Sequence, residues 1–177
     1  MAKPSSGDQR EVFIRYELPG DIASIRQVIT AAFASKSHLE NCEAEIVDAL
    51  RQDGALIFSM VAICEDQILG HVAGSKVLVN GKDWTWLGLG PVSVLPEWQG
   101  KGIGSSLVEH VLGEMCSGGF AGCVVAGSPK FYERFGFERD PEMTFDGAPP
   151  SYFMRKVMIG PPSSGKVTYH KAFDLAQ

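Results

Sequence analysis

The sequence predicts one α/β domain with a mixed, mostly antiparallel central sheet flanked by helices. Three observations carry this. An amphipathic helical pattern comes early, three consecutive strand-like runs with short turns read as a meander, and a glycine-rich turn then opens a helix that leads into a buried apolar strand. A strand reached through a helix pairs in parallel with its predecessor, so the sheet is mixed. The length of 177 residues suits a single domain with a proper core.

The elements follow in order. "MAKPSSGDQR", residues 1–10, reads as a flexible lead-in, and the domain is expected to occupy 11–177. "EVFIRYEL" alternates and is rich in strand formers, so it is the first strand, ended by Pro19 and Gly20. Asp21 is placed to cap a helix whose Ile22, Ile25, Val28, Ile29, Ala32 and Phe33 share one face. Ser37 and Glu40 have capping-box spacing for a second helix that carries Leu39, Cys42, Ile46 and Leu50 inward and stops near Gly54. "ALIFSMVAIC", "ILGHVAGSKVLV" and "WTWLGLGPVSVL" form the meander, with the last turn at Asn80-Gly81. Gly88 and Gly90 are out of place in a regular strand and suggest a bulge or a close backbone approach. In the next helix Ile103, Leu107, Val108, Val111, Leu112 and Met115 make one apolar face. "FAGCVVAG" is the fifth strand, "SPKFYERFGF" a short helix opened by Ser128-Pro129 and stopped by Gly136, and the tail reads as two strands joined by a turn.

Composition narrows the function. Apolar residues make up 45% and charged ones 21%, and the net charge of −5 gives no general basic footprint for nucleic acid or an anionic membrane. No apolar run approaches the roughly 20 residues of a membrane-spanning helix, and "MAKPSSGDQR" is polar and lacks the apolar stretch expected of a secretory signal. The four cysteines (Cys42, Cys64, Cys116, Cys123) are scattered and lack zinc spacing. A reduced, metal-free cytoplasmic protein is the expectation.

"QGKGIGSSL", residues 99–107, packs three glycines into five positions before a helix. Free amides at a helix N-terminus and the helix dipole favour an anion, and missing side chains let a phosphate come close. The same glycines also suit a ligand-free turn. A dinucleotide fingerprint does not fit, since Gly100, Gly102 and Gly104 follow a meander and no ribose-binding acid stands at the right distance. "GPPSSGKV", residues 160–167, approaches a P-loop, but Val167 replaces the magnesium-binding hydroxyl and only ten residues follow.

Taken together, "LGPVSV", the "P-x-x-Q-G-K-G-I-G" loop, the helix, the parallel strand and "FYERFGFE" resemble the GNAT superfamily of acetyl-CoA-dependent N-acetyltransferases, bacterial members above all. The core likeness spans roughly residues 86 to 139, and Gln99, Gly102 and Gly104 fit the family's Q/R-x-x-G-x-G/A motif. The resemblance implies a sheet splayed between its fourth and fifth strands. It implies acetyl-CoA as co-substrate, with the amides of Gln99, Gly100, Lys101, Gly102, Ile103, Gly104 and Ser105 around the pyrophosphate. The backbone of Val92 to Val94 would pair with the pantetheine arm as an added strand. Tyr132 is the family-matched general acid for the departing thiolate, or otherwise a packed aromatic beside Phe131, Phe135 and Phe137. Where the family commonly has Asn after the fifth strand, this chain has Gly127 and Ser128, and Ser128 either takes that coenzyme contact or caps the helix.

The base is open. The fourth strand holds no acidic residue, which leaves His71 on the third strand, Asp83, Glu40 or a water route. Cysteine chemistry is disfavoured because no base adjoins Cys123 or Cys116 in sequence. The expected reaction is direct acetyl transfer to a primary amine of a small molecule or peptide, by a monomer or homodimer. A silent acyl-CoA sensor on the same fold is the alternative, and a nucleotide-binding protein using Lys166 is the remoter one. His38, Glu40, Trp84, Tyr152 and Phe153 are candidates for shaping the acceptor side.

Overall fold

The computed structural model describes residues 11–34, 42–161 and 163–176. Strands β1 (Phe13–Tyr16), β2 (Leu56–Cys64), β3 (Gln67–Lys76), β4 (Leu78–Val79), β5 (Trp86–Val94), β6 (Gly122–Ala126), β7 (Met143–Thr144), β8 (Phe153–Val157) and β9 (Gly165–Thr168) alternate with helices α1 (Ile22–Phe33), α2 (Glu43–Gln52), α3 (Ile103–Ser117) and α4 (Pro129–Tyr132). The main sheet has the order β1-β2-β3-β5-β6-β8 and is antiparallel except for the parallel pair β5–β6. The expected meander and parallel fifth strand are both present.

One side of this sheet carries α3. Its six predicted apolar positions are all buried and join Leu69, Val72, Leu87, Leu89 and Cys123 in the largest core cluster. Removing each such side chain from water contributes about 1.5–3 kcal/mol, so this face anchors the site described below. On the other side, Ile25, Val28 and Ile29 of α1 and Ala44 and Val47 of α2 pack on Val61 and Ala73. Asp21 does stand at the start of α1, but its carboxylate makes no cap there. It accepts instead from Arg15 and from the Leu18 amide, closing the turn before the helix. The proposed capping box at Ser37 and Glu40, and Leu39, lie outside the described residues; α2 begins at Glu43 and buries Ala44, Ile46, Val47 and Leu50.

One reading is extended and one corrected. Asn80 and Gly81 form the expected two-residue hairpin turn, with φ of 51° and 73° and Val79 and Lys82 exchanging both backbone hydrogen bonds, but β4 also takes a second partner. Leu78 and Val79 pair with Thr168 and Val167, so a second sheet of order β4-β9-β7 forms. Asn80 directs this: its side-chain oxygen accepts the Lys166 amide at 3.0 Å and its side-chain nitrogen donates to the Ser164 carbonyl at 3.2 Å. For the same reason the tail is not a hairpin, since β8 joins the main sheet beside β6 while β9 joins the small one.

Candidate functional site

The glycine-rich turn sits where β5 leaves the sheet. Gly100 and Gly102 have φ of 74° and 86°, a region in which a Cβ costs roughly 1–2 kcal/mol. Gly102 caps α3 with its carbonyl, which accepts from Ser106 at 3.0 Å. The amides of Ile103, Gly104 and Ser105 therefore lie before the first intrahelical bond, and no side chain caps them. Ile103 turns its side chain into the core, whereas Gly104 leaves the first turn bare between Val94 and Phe131. Lys101 is exposed and stands over the Trp98 ring at 4.5 Å. Three free amides, a helix dipole and a nearby cation suit a phosphate.

Beside this turn, β5 changes partners. It pairs with β6 only at Trp86↔Gly122, Leu87↔Cys123 and Gly88↔Val124, although it runs on to Val94 and stays paired with β3 there. A register shift between Val72↔Val92 and Gly74↔Leu89 places a bulge at Gly90-Pro91. The Gln99 side-chain amide donates to the Val94 carbonyl at 2.9 Å, so that carbonyl faces away from β3. By strand alternation Val92 turns its backbone groups the same way, while Ser93 faces β3.

Tyr132, in α4, follows β6 and packs edge-on against Phe131 and Phe137 with centroid distances of 4.9 and 5.7 Å. The packing expected of this ring is present: it is part of the core and lies over Gly127, where a Cβ would come within 2.5 Å of it. Burial, with a smaller effect of the Cys123 thiol, pushes its hydroxyl well above the usual phenol range, so it stays protonated. Ser128 heads α4 with its carbonyl, which accepts from Phe131 and Tyr132, and its exposed side chain makes no cap bond.

His71 is fully buried on β3, on the side facing α1 and α2, and is in register with Ser93. Its Nε2 lies 2.8 Å from Ser59 Oγ, and Ser59 in turn donates to Glu17. Arg51 holds that carboxylate through two bonds of 2.9 Å. A carboxylate only accepts, so the one Ser59 proton goes to Glu17 and Ser59 must accept from His71 Nε2–H. Nδ1 is then a bare lone pair, buried and unpartnered among the described residues, as is Ser93 Oγ. Burial drives the imidazole down to about 4, the nearby Glu17 opposing and Arg51 assisting. For Glu17 itself burial acts upward, but the bonds from Arg51 and Ser59 outweigh it and hold the carboxyl below its ordinary value. The polar chain ends at a cavity of about 220 Å³ lined by Tyr16, Glu17, Arg51, Leu56, Ile57 and Ser59. That cavity is at the strand ends away from the glycine turn. Glu17, Ser59 and Ser93 had no local signal in the sequence.

Tyr169, which follows β9, was also missed. Its ring covers Gly88, where a Cβ would lie 2.3 Å from Cε1, so the close approach expected at Gly88 has its partner far along the chain. Of the acceptor-side candidates, Trp84 and Tyr152 are exposed, His38 and Glu40 lie outside the described residues, and Phe153 is buried against Phe145. Phe153 is thus a core residue and not an acceptor contact. Asp83 is exposed and engaged with Lys76 at 2.7 Å. Cys123 is buried, which pushes its thiol far up and keeps it protonated. Lys166 of "GPPSSGKV" lies on β9 and pairs with Asp146 at 2.6 Å, in a strand and not at the head of a helix. Among the described residues no helix is long and apolar enough to cross a membrane.

Comparison with known proteins agrees with this geometry. The model of the acetyltransferase (GNAT) domain matches residues 55–139. The chain is 37% identical over 128 residues to YhbS, an uncharacterised N-acetyltransferase of Escherichia coli K12, covering 72% of this chain and 74% of that one. It superimposes on a GNAT family acetyltransferase of Brucella melitensis, solved in complex with acetyl-CoA, with a TM-score of 0.84 and 43% identity over 94% of this chain and 100% of the other. The structure of Escherichia coli YhbS in complex with CoA gives a TM-score of 0.87 and 31% identity over 96% of each. With a relative 37% identical over more than two thirds of both chains and a GNAT domain matched within it, the chain belongs to the GNAT family of N-acetyltransferases.

Proposed function

We propose that residues 11–177 form one cytoplasmic acetyltransferase domain that moves the acetyl group of acetyl-CoA directly to a primary amine of a small molecule or peptide. The observation that carries it is the junction of β5 and α3. Free amides from Ile103 to Ser105, with the backbone of Gln99 to Gly102 wrapped before them, suit the pyrophosphate. The edge of β5 at Val92 and Val94, unpaired with β6, suits the amide-bearing pantetheine arm as an added strand. Ser128 Oγ, uncommitted as a cap, is available to the same ligand.

In this reading the neutral amine attacks the thioester carbonyl, which a backbone N–H near Val94 polarises. The carbon–nitrogen bond forms, the carbon–sulfur bond breaks, and Tyr132 gives its proton to the departing thiolate. The proton lost by the amine leaves on the other side of the sheet, where the bare Nδ1 of His71 stands next to Ser93. With its imidazolium disfavoured by burial, His71 serves as a relay toward Ser59 and Glu17 and not as a store.

Calorimetric titration with acetyl-CoA, with ATP as control, tests the reading. Micromolar acetyl-CoA binding with no heat from ATP supports it, and a panel of primary amines then separates transfer from silent binding. Folded protein that fails to bind acetyl-CoA overturns it.

A further inference from the structure

We propose that Tyr169 is a substrate-binding residue at the transfer centre, its hydroxyl hydrogen-bonding the acceptor nitrogen from the sheet face opposite Tyr132. The inference rests on the acetyl-CoA reading above and names a contact on its acceptor side.

The placement follows from strand alternation. Leu87 and Leu89 of β5 point into the α3-side core together with Cys123 and Tyr132, whereas Trp86 points into a cluster with Val124, Phe153 and Tyr169 on the other side. Gly88 belongs to the second set, and Gly88↔Val124 is the last rung joining β5 to β6. The Tyr169 ring lies on that rung, packed between Phe145 and Phe173 at 4.6 and 4.9 Å. Two tyrosines therefore stand beside the parting of β5 and β6 from opposite faces, Tyr169 over Gly88 and Tyr132 over Gly127.

The hydroxyl itself is the unusual group. It is buried and has no hydrogen-bond partner among the described residues. A buried polar group without a partner carries its full desolvation penalty, so native proteins keep few of them. A phenylalanine would pack the same ring contacts without that penalty. Burial also holds the phenol far above its ordinary pKa, so it does not act as a charged base. What remains is a neutral hydrogen-bonding group beside the last rung that joins β5 to β6. An attacking amine must direct its lone pair at the carbonyl carbon, and an acceptor for one of its N–H bonds fixes that direction.

The test compares wild type with Tyr169→Phe, titrated calorimetrically with CoA and with an adduct bearing S-CH2-C(O)-NH-CH3, which needs no knowledge of the natural acceptor. The variant is expected to keep wild-type affinity for CoA and to lose about five- to tenfold for the adduct. It is also expected to melt no lower than wild type. Gly88→Ala, which displaces the ring, is expected to show the same selective loss. Equal adduct affinity in wild type and Tyr169→Phe overturns the assignment. Parallel loss for CoA and adduct, or a melting point several degrees lower, makes the hydroxyl structural and also overturns it. Wild-type protein that binds no CoA overturns the coenzyme reading as well, which separates the two failures.

Discussion

The two faces of the main sheet are built in different ways. On the α3 face the groups proposed for the coenzyme, from Val92 through Ser105 to Tyr132, come from one continuous stretch of chain. On the opposite face the polar and aromatic groups come from the segment after β1, from β2, β3 and β5, and from the segment after β9, as Glu17, Ser59, His71, Ser93 and Tyr169. A shared co-substrate can be held by a local motif. An acceptor-side surface assembled from distant segments is free to change one segment at a time, and it leaves no spacing to read.

Substitutions sharpen this contrast, and the largest effect is expected at the α3 face. Tyr132→Phe should lower kcat on the order of 10³-fold with acetyl-CoA affinity unchanged, measured by thiol release and by calorimetry. An unchanged kcat would reduce Tyr132 to a packing residue. On the other face, the buried neutral His71 makes stability acid-sensitive. Its folded value of about 4 lies below the unfolded 6.5, so its contribution is complete above pH 6.5 and is lost as pH falls toward 4. The full span is worth about 3 kcal/mol by linkage, and His71→Gln should remove that slope from urea titrations run between pH 4 and 7. The same variant should cost about 10²-fold in kcat if His71 relays the proton.

Smaller effects return to the coenzyme turn. Gly102→Val places a branched side chain at φ 86° before α3, and should weaken acetyl-CoA binding by about tenfold. No protein atom lies within 4 Å of its Cβ position, so the stability cost should stay near 1–2 kcal/mol. Gln99→Ala frees the Val94 carbonyl and should cost only about two- to threefold in affinity.

Legibility followed the range of the interactions. The period of α3 gave all six of its buried positions, and Gly100 and Gly102 announced a turn because their backbone angles are a local property. Asn80-Gly81 announced its turn but not where β4 would go, since Lys166 and Ser164 on distant chain decide that. Gly88 carried half of a message: a glycine inside a strand marks a close approach, but nothing in its neighbourhood named Tyr169. Phe153 read as an acceptor-side aromatic because β-strand periodicity does not say which face of β8 is covered by Phe145.

The parting of β5 from β6 has a further consequence. An unpaired strand at the rim of a sheet is an invitation to any passing chain, which proteins blunt with charge or cover. Here the unpaired stretch lies inside the sheet order, with β3 on one flank and β6 on the other. Such a stretch has one free edge, since β3 already holds the other, so one extended arm can pair along it. The protein thus keeps this unpaired edge within the sheet order and away from the rim, where chance pairing with another chain begins.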